Sequence, residues 1–272
     1  MPFTVSHVVA ILPLYKYLGR FGVFSALVIG SMVPDFAYMT PYLVYQRMDS
    51  HSLVGIYLYG IPMGLTVYFA YHFFMAPVIV SLLPKRINQH LHPDLAIGKI
   101  PDIPAFPLVF SIIVGALTHV FWDFFTHDYG IPKYIDWFNT PLTNIDGYNI
   151  MPFRVLQHFS TVGGLSLLVF LIWRWIAKRK IASEDLQPRE AVWTAPKRLK
   201  QFAILVLLLV PVTGAIIFAL YNVPIVDDVM FGLYKAQFFL RYAIVSAAAL
   251  FILCCIFLGI IYHYQIYQGR KK

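Results

Sequence analysis

His119, Asp123 and His127 stand at i, i+4 and i+8 in the run His119-Val-Phe-Trp-Asp123-Phe-Phe-Thr-His127. Imidazole and carboxylate are, besides thiolate, the protein groups that bind Zn²⁺. On a helix this spacing turns the side chains by only about 40° per step, so the three are expected to share one face. His119 would then lie about 12 Å below His127 along the axis. A carboxylate between two histidines can bridge two ions, and ions about 3.5–4 Å apart can clamp the attacking and leaving oxygens of a phosphoester. Zinc also brings the pKa of bound water near 7. The alternative use of such a pair is a hydrogen-bonded Asp–His staple between helices.

The surroundings make these residues unusual. The segment Pro104–Phe125 is long and apolar enough to cross a bilayer. Ionisable groups are costly in hydrocarbon and usually mark a function there. The whole chain of 272 residues is 59% hydrophobic and only 12% charged. Soluble proteins carry about 25% charged residues. With a mean hydropathy of +0.69, an integral membrane protein is expected. The isoelectric point near 9.4 does not indicate nucleic acid, because the basic residues lie in runs beside apolar segments, as the positive-inside rule requires. Cys254 and Cys255 are adjacent in an apolar run and read as small core residues. No cleavable signal peptide is expected, since Met1-Pro2-Phe3 has no basic n-region.

The expected fold is an all-α polytopic membrane helix bundle, with about five full spans and a short N-terminal helical hairpin. The spans are His51–Phe74, Pro104–Phe125, Phe159–Ile176, Phe202–Tyr221 and Tyr242–Tyr262. The hairpin pairs Ser6–Tyr15 with Phe21–Val33. Met75–Leu83 is either a continuation or an interfacial segment, and Lys85–Lys99 a polar loop with some amphipathic helix. Residues 1–177 form the site-bearing bundle, 178–200 a cytoplasmic loop, and 201–272 two further transmembrane helices assigned to packing.

Charge orients the spans. With the N-terminus out and the C-terminus in, 16 of the basic residues lie inside and 5 outside. A multi-pass protein of an inner or plasma membrane follows. His7, Asp35, His51, His119, Asp123, His127 and His158 then converge on the outer end. His72, His90, His92 and His263 fall toward the cytoplasmic side and read as solvated or interfacial. Each outer residue has a plainer duty as well. His158 could be an interfacial polar group, and His51 a capping neighbour of Asp49 and Ser50. His7 could follow an N-cap at Thr4 or Ser6, and Asp35 after Pro34 could be a turn residue. Together they form a candidate site for a divalent metal, with zinc the expected ion.

Three stretches carry a resemblance: Met1-Pro2-Phe3-Thr4-Val5-Ser6-His7, Gly30-Ser31-Met32-Val33-Pro34-Asp35-Phe36 and His51-Ser52-Leu53-Val54-Gly55, followed by Thr118-His119 and Asp123. They resemble an uncharacterised family of bacterial multi-pass membrane proteins, a domain of unknown function. That resemblance covers most of residues 1–165 and implies a fold but no reaction. Pro34-Asp35, His51-Ser52 and His119/Asp123 are more distantly similar to motifs of membrane-bound metal-dependent hydrolases. The order His7, Asp35, His51, His119, Asp123, His127, His158 is similar to the ligand order of zinc-dependent phospholipase C and P1-type nucleases. Two features depart from it. Those enzymes use an N-terminal tryptophan amine where this chain has Met1-Pro2, and a glutamate where this chain has Val162. One or two ions are therefore expected.

The function expected is a membrane-embedded metal-dependent hydrolase acting on an ester or phosphoester, with a lipid-linked substrate and membrane lipids as its surroundings. No glutamate lies on the outer side, so the expected general base is Asp35, Asp128 or the metal hydroxide itself. Arg154 either steadies an anionic substrate or anchors its helix, and the aromatic loop Asp128–Met151 is placed to cover the site. The alternatives are a transporter or ion relay and a non-catalytic protein with a structural metal. Substrate identity and oligomeric state stay open.

Overall fold

The structure is a computed structural model that describes residues 4–39, 50–84, 87, 91, 98–145, 148–178, 197–222 and 232–269. Most of the expected loop at 178–200, together with His90 and His92, lies outside the described residues. Five helical stretches among the described residues are long and apolar enough to cross a membrane. The protein is an all-α polytopic membrane protein, as its composition predicts. The chain divides into two compact units: Met1–Tyr68 with Ile103–Ala177, and Phe69–Asp102 with Lys178–Lys272.

In the first unit, a 3-10 turn at Thr4–His7 leads into α1 (Val8–Leu18). The chain leaves α1 through Gly19, whose φ of +53° suits a residue without Cβ. Helix α2 (Phe24–Gly30) has no cap of its own. Ser111 supplies one: its hydroxyl accepts from the Val23 N–H at 2.9 Å and donates to the Phe21 carbonyl at 3.2 Å. A short helix α3 (Val33–Phe36) follows, with Pro34 in its first turn, where a missing N–H costs nothing.

The first long helix, α4 (Leu53–Leu82), is capped by Ser52, whose Oγ accepts from the Gly55 N–H at 2.9 Å. It carries two π-helical turns, Ile56–Gly60 and Tyr71–Met75. The second runs directly into Ala76–Leu82, so this stretch continues the helix. Helix α5 (Ala105–Thr126) buries Leu108, Ile112, Gly115, His119 and Asp123, an i, i+3/i+4 stripe that faces the protein. Its opposite side exposes Phe121, Trp122, Phe124 and Phe125. Beyond it come a 3-10 turn at Ile131–Tyr134, α6 (Asp136–Asn139) and a small antiparallel hairpin of β1 (Thr143–Ile145) and β2 (Tyr148–Ile150). These two three-residue strands are a small addition to an otherwise helical fold. Helix α7 (Pro152–Lys178) closes this unit.

Small residues let α2 and α5 approach closely. A Cβ on Gly115 would overlap the Leu27 carbonyl and lie 2.7 Å from the Ser31 nitrogen, and one on Gly30 would overlap the Ile112 carbonyl. Helices α2 and α5 thus touch backbone to backbone, as small residues allow between membrane helices.

The second unit pairs α8 (Lys197–Asn222) with α9 (Gly232–Gly269). Val78, Ala203, Leu258 and Tyr262 form its buried core. His263 donates through Nε2 to the Phe73 carbonyl at 2.7 Å and stacks on the Phe73 ring at 4.1 Å. His72 is buried rather than solvated. Both therefore differ from the expectation of simple interfacial histidines.

Candidate metal centre

Four segments of the first unit deliver six of the candidate residues to one place. His7 ends the first 3-10 turn, Asp35 lies in α3, His51 precedes the Ser52 cap, and His119 and Asp123 face inward from α5. Helix α5 stops at Thr126, so His127 is its C-cap residue with extended backbone (φ −111°, ψ 154°). It leaves the shared helical face yet keeps Nδ1 within 3.5 Å of Asp123 Oδ1.

Asp123 is the centre of the arrangement. Its Oδ2 lies 3.3 Å from His119 Nε2 and 3.5 Å from His51 Nε2. Its Oδ1 lies 3.5 Å from His7 Nε2 and 3.5 Å from His127 Nδ1. Asp35 Oδ1 completes the first group, 3.5 Å from His51 Nε2 and 3.6 Å from His119 Nε2. The His7 and His119 rings stack at 3.9 Å.

These separations discriminate between two uses of the residues. A hydrogen-bonded imidazolium–carboxylate staple brings N and O to about 2.7–2.9 Å. Ligand atoms 2.0–2.2 Å from a tetrahedral ion lie about 3.3–3.6 Å from one another. The observed spacings fall in the second range. Moreover, His7 Nδ1 and Nε2, Asp35 Oδ1, His119 Nε2 and Asp123 Oδ1 are buried without a hydrogen-bond partner. Such groups cost about 1–3 kcal/mol each. Five would cost on the order of 5–15 kcal/mol, comparable to the stability of a whole domain. The residues present therefore fit a divalent cation, and they fit it better than they fit each other.

Neighbouring groups aim the ligands. The Ser31 carbonyl accepts from His119 Nδ1 at 2.8 Å, which leaves Nε2 with its lone pair toward the site. The Thr4 hydroxyl donates to Asp35 Oδ2 at 2.7 Å, so Oδ1 is the oxygen that faces His51 and His119. The Ser50 hydroxyl donates to the Pro34 carbonyl at 2.8 Å and lies 3.1 Å from His51 Nδ1. Ser50 thus positions His51 instead of capping α4. Tyr129 stacks on His127 at 5.2 Å, and its hydroxyl lies 3.5 Å from Asp123 Oδ2. None of these supporting roles was expected from residue type; Thr4 and Ser50 had been expected, at most, as helix caps.

Electrostatics follow from the same contacts. Burial and the adjacent His119 push His7 down to about 4. Burial alone would lower His51, but Asp123 and Asp35 outweigh it and raise it to about 9. Burial alone would raise Asp35, whereas His51, His119 and Thr4 hold it below the usual carboxylate range. His158 and Asp128 stand apart from the six. Both are exposed, and among the described residues neither makes a hydrogen bond or ion pair to the cluster.

A family model described as a domain of unknown function (DUF4184) matches residues 1–264. The chain belongs to that family. This bears out the resemblance to an uncharacterised family read from the opening motifs. No curated protein and no solved structure matches the chain.

Proposed function

We propose that this protein is a membrane-embedded metal-dependent hydrolase of phosphoesters, set at the outer face of an inner or plasma membrane, with the N-terminus outside and the C-terminus in the cytoplasm. The observation that carries the reading is Asp123, whose two oxygens each face a different pair of imidazoles at 3.3–3.5 Å. That arrangement favours two ions, with zinc the expected metal. Asp35 and His51 would hold one ion and His7 and Asp123 the other, with His119 within ligand distance of both groups; His127 Nδ1 instead lies 3.2 Å from the Asp123 carbonyl. Bound there, the ions would polarise a phosphoryl oxygen and acidify coordinated water.

The chain's own residues supply the rest. Two carboxylates set against two divalent ions leave an excess of positive charge, which favours an anionic phosphoester over a neutral carboxylic ester. Asp35 Oδ2 accepts from Thr4 and its Oδ1 faces the imidazoles, while Asp128 is exposed without a contact to the six, so neither carboxylate is assigned as proton acceptor. The orientation is supported by the 16-to-5 division of basic residues.

Metal analysis of the purified protein tests this reading, followed by hydrolysis of bis-p-nitrophenyl phosphate and p-nitrophenyl phosphate before and after chelation. Stoichiometric metal and turnover that is lost and restored with it are expected. Hydrolysis that persists in fully metal-free protein, or metal-loaded protein without turnover on any phosphoester, overturns it.

A further inference from the structure

We propose that the centre takes its substrate from the bilayer: a lipid phosphoester whose headgroup reaches the ligands while its chains remain among the exposed aromatic residues of α5 and α6. The inference rests on the hydrolase reading and adds the substrate class.

Depth is the first argument. Helix α5 has 22 residues, about 33 Å at 1.5 Å per residue, against about 30 Å of hydrocarbon. Asp123 and His119 lie three and seven residues before its last residue, Thr126, or about 4.5 and 10 Å inward. With α5 spanning the hydrocarbon, the cluster starts about 4.5 Å inside its outer edge, within reach of a lipid headgroup that dips from the phosphate level. A water-soluble ester would have to leave water to reach the cluster.

The second argument is what covers the outside of the same turns. While His119 and Asp123 are buried, Phe121 is 66% exposed, with Trp122, Phe124 and Phe125 beside it. This apolar face is continuous with the lipid-facing side of a span, so lipid is its occupant. The chain beyond the helix keeps the same character: Tyr134 and Trp137 are 76% and 60% exposed, and the Lys133 ammonium lies 6.0 Å over the Tyr134 ring. Exposed aromatic rings with a cation among them are the composition of a bilayer interface, where amphipathic rings and basic groups meet headgroups. An apolar patch of this kind facing bulk water would be an aggregation liability.

The test uses the full chain, metal-loaded, in vesicles of phosphatidylethanolamine and phosphatidylglycerol. Product release from the dioleoyl lipids is compared with release from their water-soluble dibutyryl counterparts and from p-nitrophenyl phosphate. A kcat/KM about tenfold or more higher for a long-chain lipid is expected. Equal or better turnover of the soluble esters overturns the proposal and leaves the hydrolase reading standing. No turnover of any ester by metal-loaded protein ends both. A spin label at Trp137→Cys gives a readout independent of activity. Relaxation by lipid-dissolved oxygen is expected. Relaxation by aqueous nickel complexes instead, or shielding from both by a second copy of the chain, overturns the proposal.

Discussion

The Thr4 hydroxyl donates to Asp35 Oδ2 across 2.7 Å and so decides which oxygen of that carboxylate faces His51 and His119. Removing a partner that orients a metal ligand typically costs 10–100-fold in affinity. Thr4→Val, nearly the same shape without the donor, should weaken zinc binding by about that factor. Competition with a chromophoric chelator measures it, and an unchanged Kd would show that Thr4 does not orient Asp35.

Both oxygens of Asp123 face imidazoles, Oδ2 toward His119 and His51 and Oδ1 toward His7 and His127. Asp123→Asn should cut bound metal from two equivalents to one or fewer. His158→Ala, at an exposed position without a contact to the six, should leave the stoichiometry unchanged. Elemental analysis of the purified variants decides. Loss of metal in the His158 variant would return that residue to the ligand set.

The pH dependence follows from His51, the one cluster histidine shifted upward; His7 and His127 are both shifted downward by burial. With its pKa at about 9, His51 is protonated at neutral pH in the metal-free protein, whereas His7, at about 4, is not. Binding an ion must displace the His51 proton, so apparent affinity should rise about tenfold per pH unit until the pH reaches the His51 value, with no contribution from His7. Stability of the metal-free protein runs the other way. A folded pKa raised above the ordinary histidine value of 6.5 stabilises fully below 6.5, and that contribution is lost as pH rises through about 9. Zinc titrations and thermal melts across this window should show opposite slopes; parallel slopes would contradict the assignment.

Tyr129 is half exposed, stacked on His127, with its hydroxyl 3.5 Å from Asp123 Oδ2. That position places the phenol within reach of a substrate bound at the cluster. Tyr129→Phe should retain its metal while kcat falls by about 10²-fold for alkyl esters. It should fall little for p-nitrophenyl esters, whose leaving group needs no proton. Equal losses on both would assign Tyr129 a packing role only.

The glycine contact makes a stability prediction. Gly115→Ala places a methyl group against the Leu27 carbonyl and should destabilise the unit by about 1–3 kcal/mol. It should also loosen the 2.8 Å contact of His119 Nδ1 with Ser31. Lower melting temperature together with weaker metal binding is the expected pair of effects.

How much of this could be read from the chain depends on the physics behind each feature. The spans were legible because only long apolar runs can cross hydrocarbon, and all five expected segments coincide with long helices. The cluster was legible because His119 and Asp123 interrupt such a run, where an ionisable group has no inexpensive explanation. The supporting groups were not. Ser31 acts through a backbone carbonyl, which leaves no trace in residue type, and Thr4 and Ser50 look like ordinary capping residues. The π-helical turns of α4 have no side-chain signature either. His127 shows the limit of periodicity: spacing alone could not reveal that the helix ends at Thr126.

Because the ligands are spread from His7 to His127, the centre cannot exist until its last members leave the ribosome. At 5–20 residues per second, those 120 residues take roughly 6–24 s to synthesise. Throughout that interval the first hairpin carries its acid and imidazole without their partners from α5. On the metal reading, an ion could enter no earlier than the synthesis of His127, and a cell short of it would accumulate inserted chains with an empty centre.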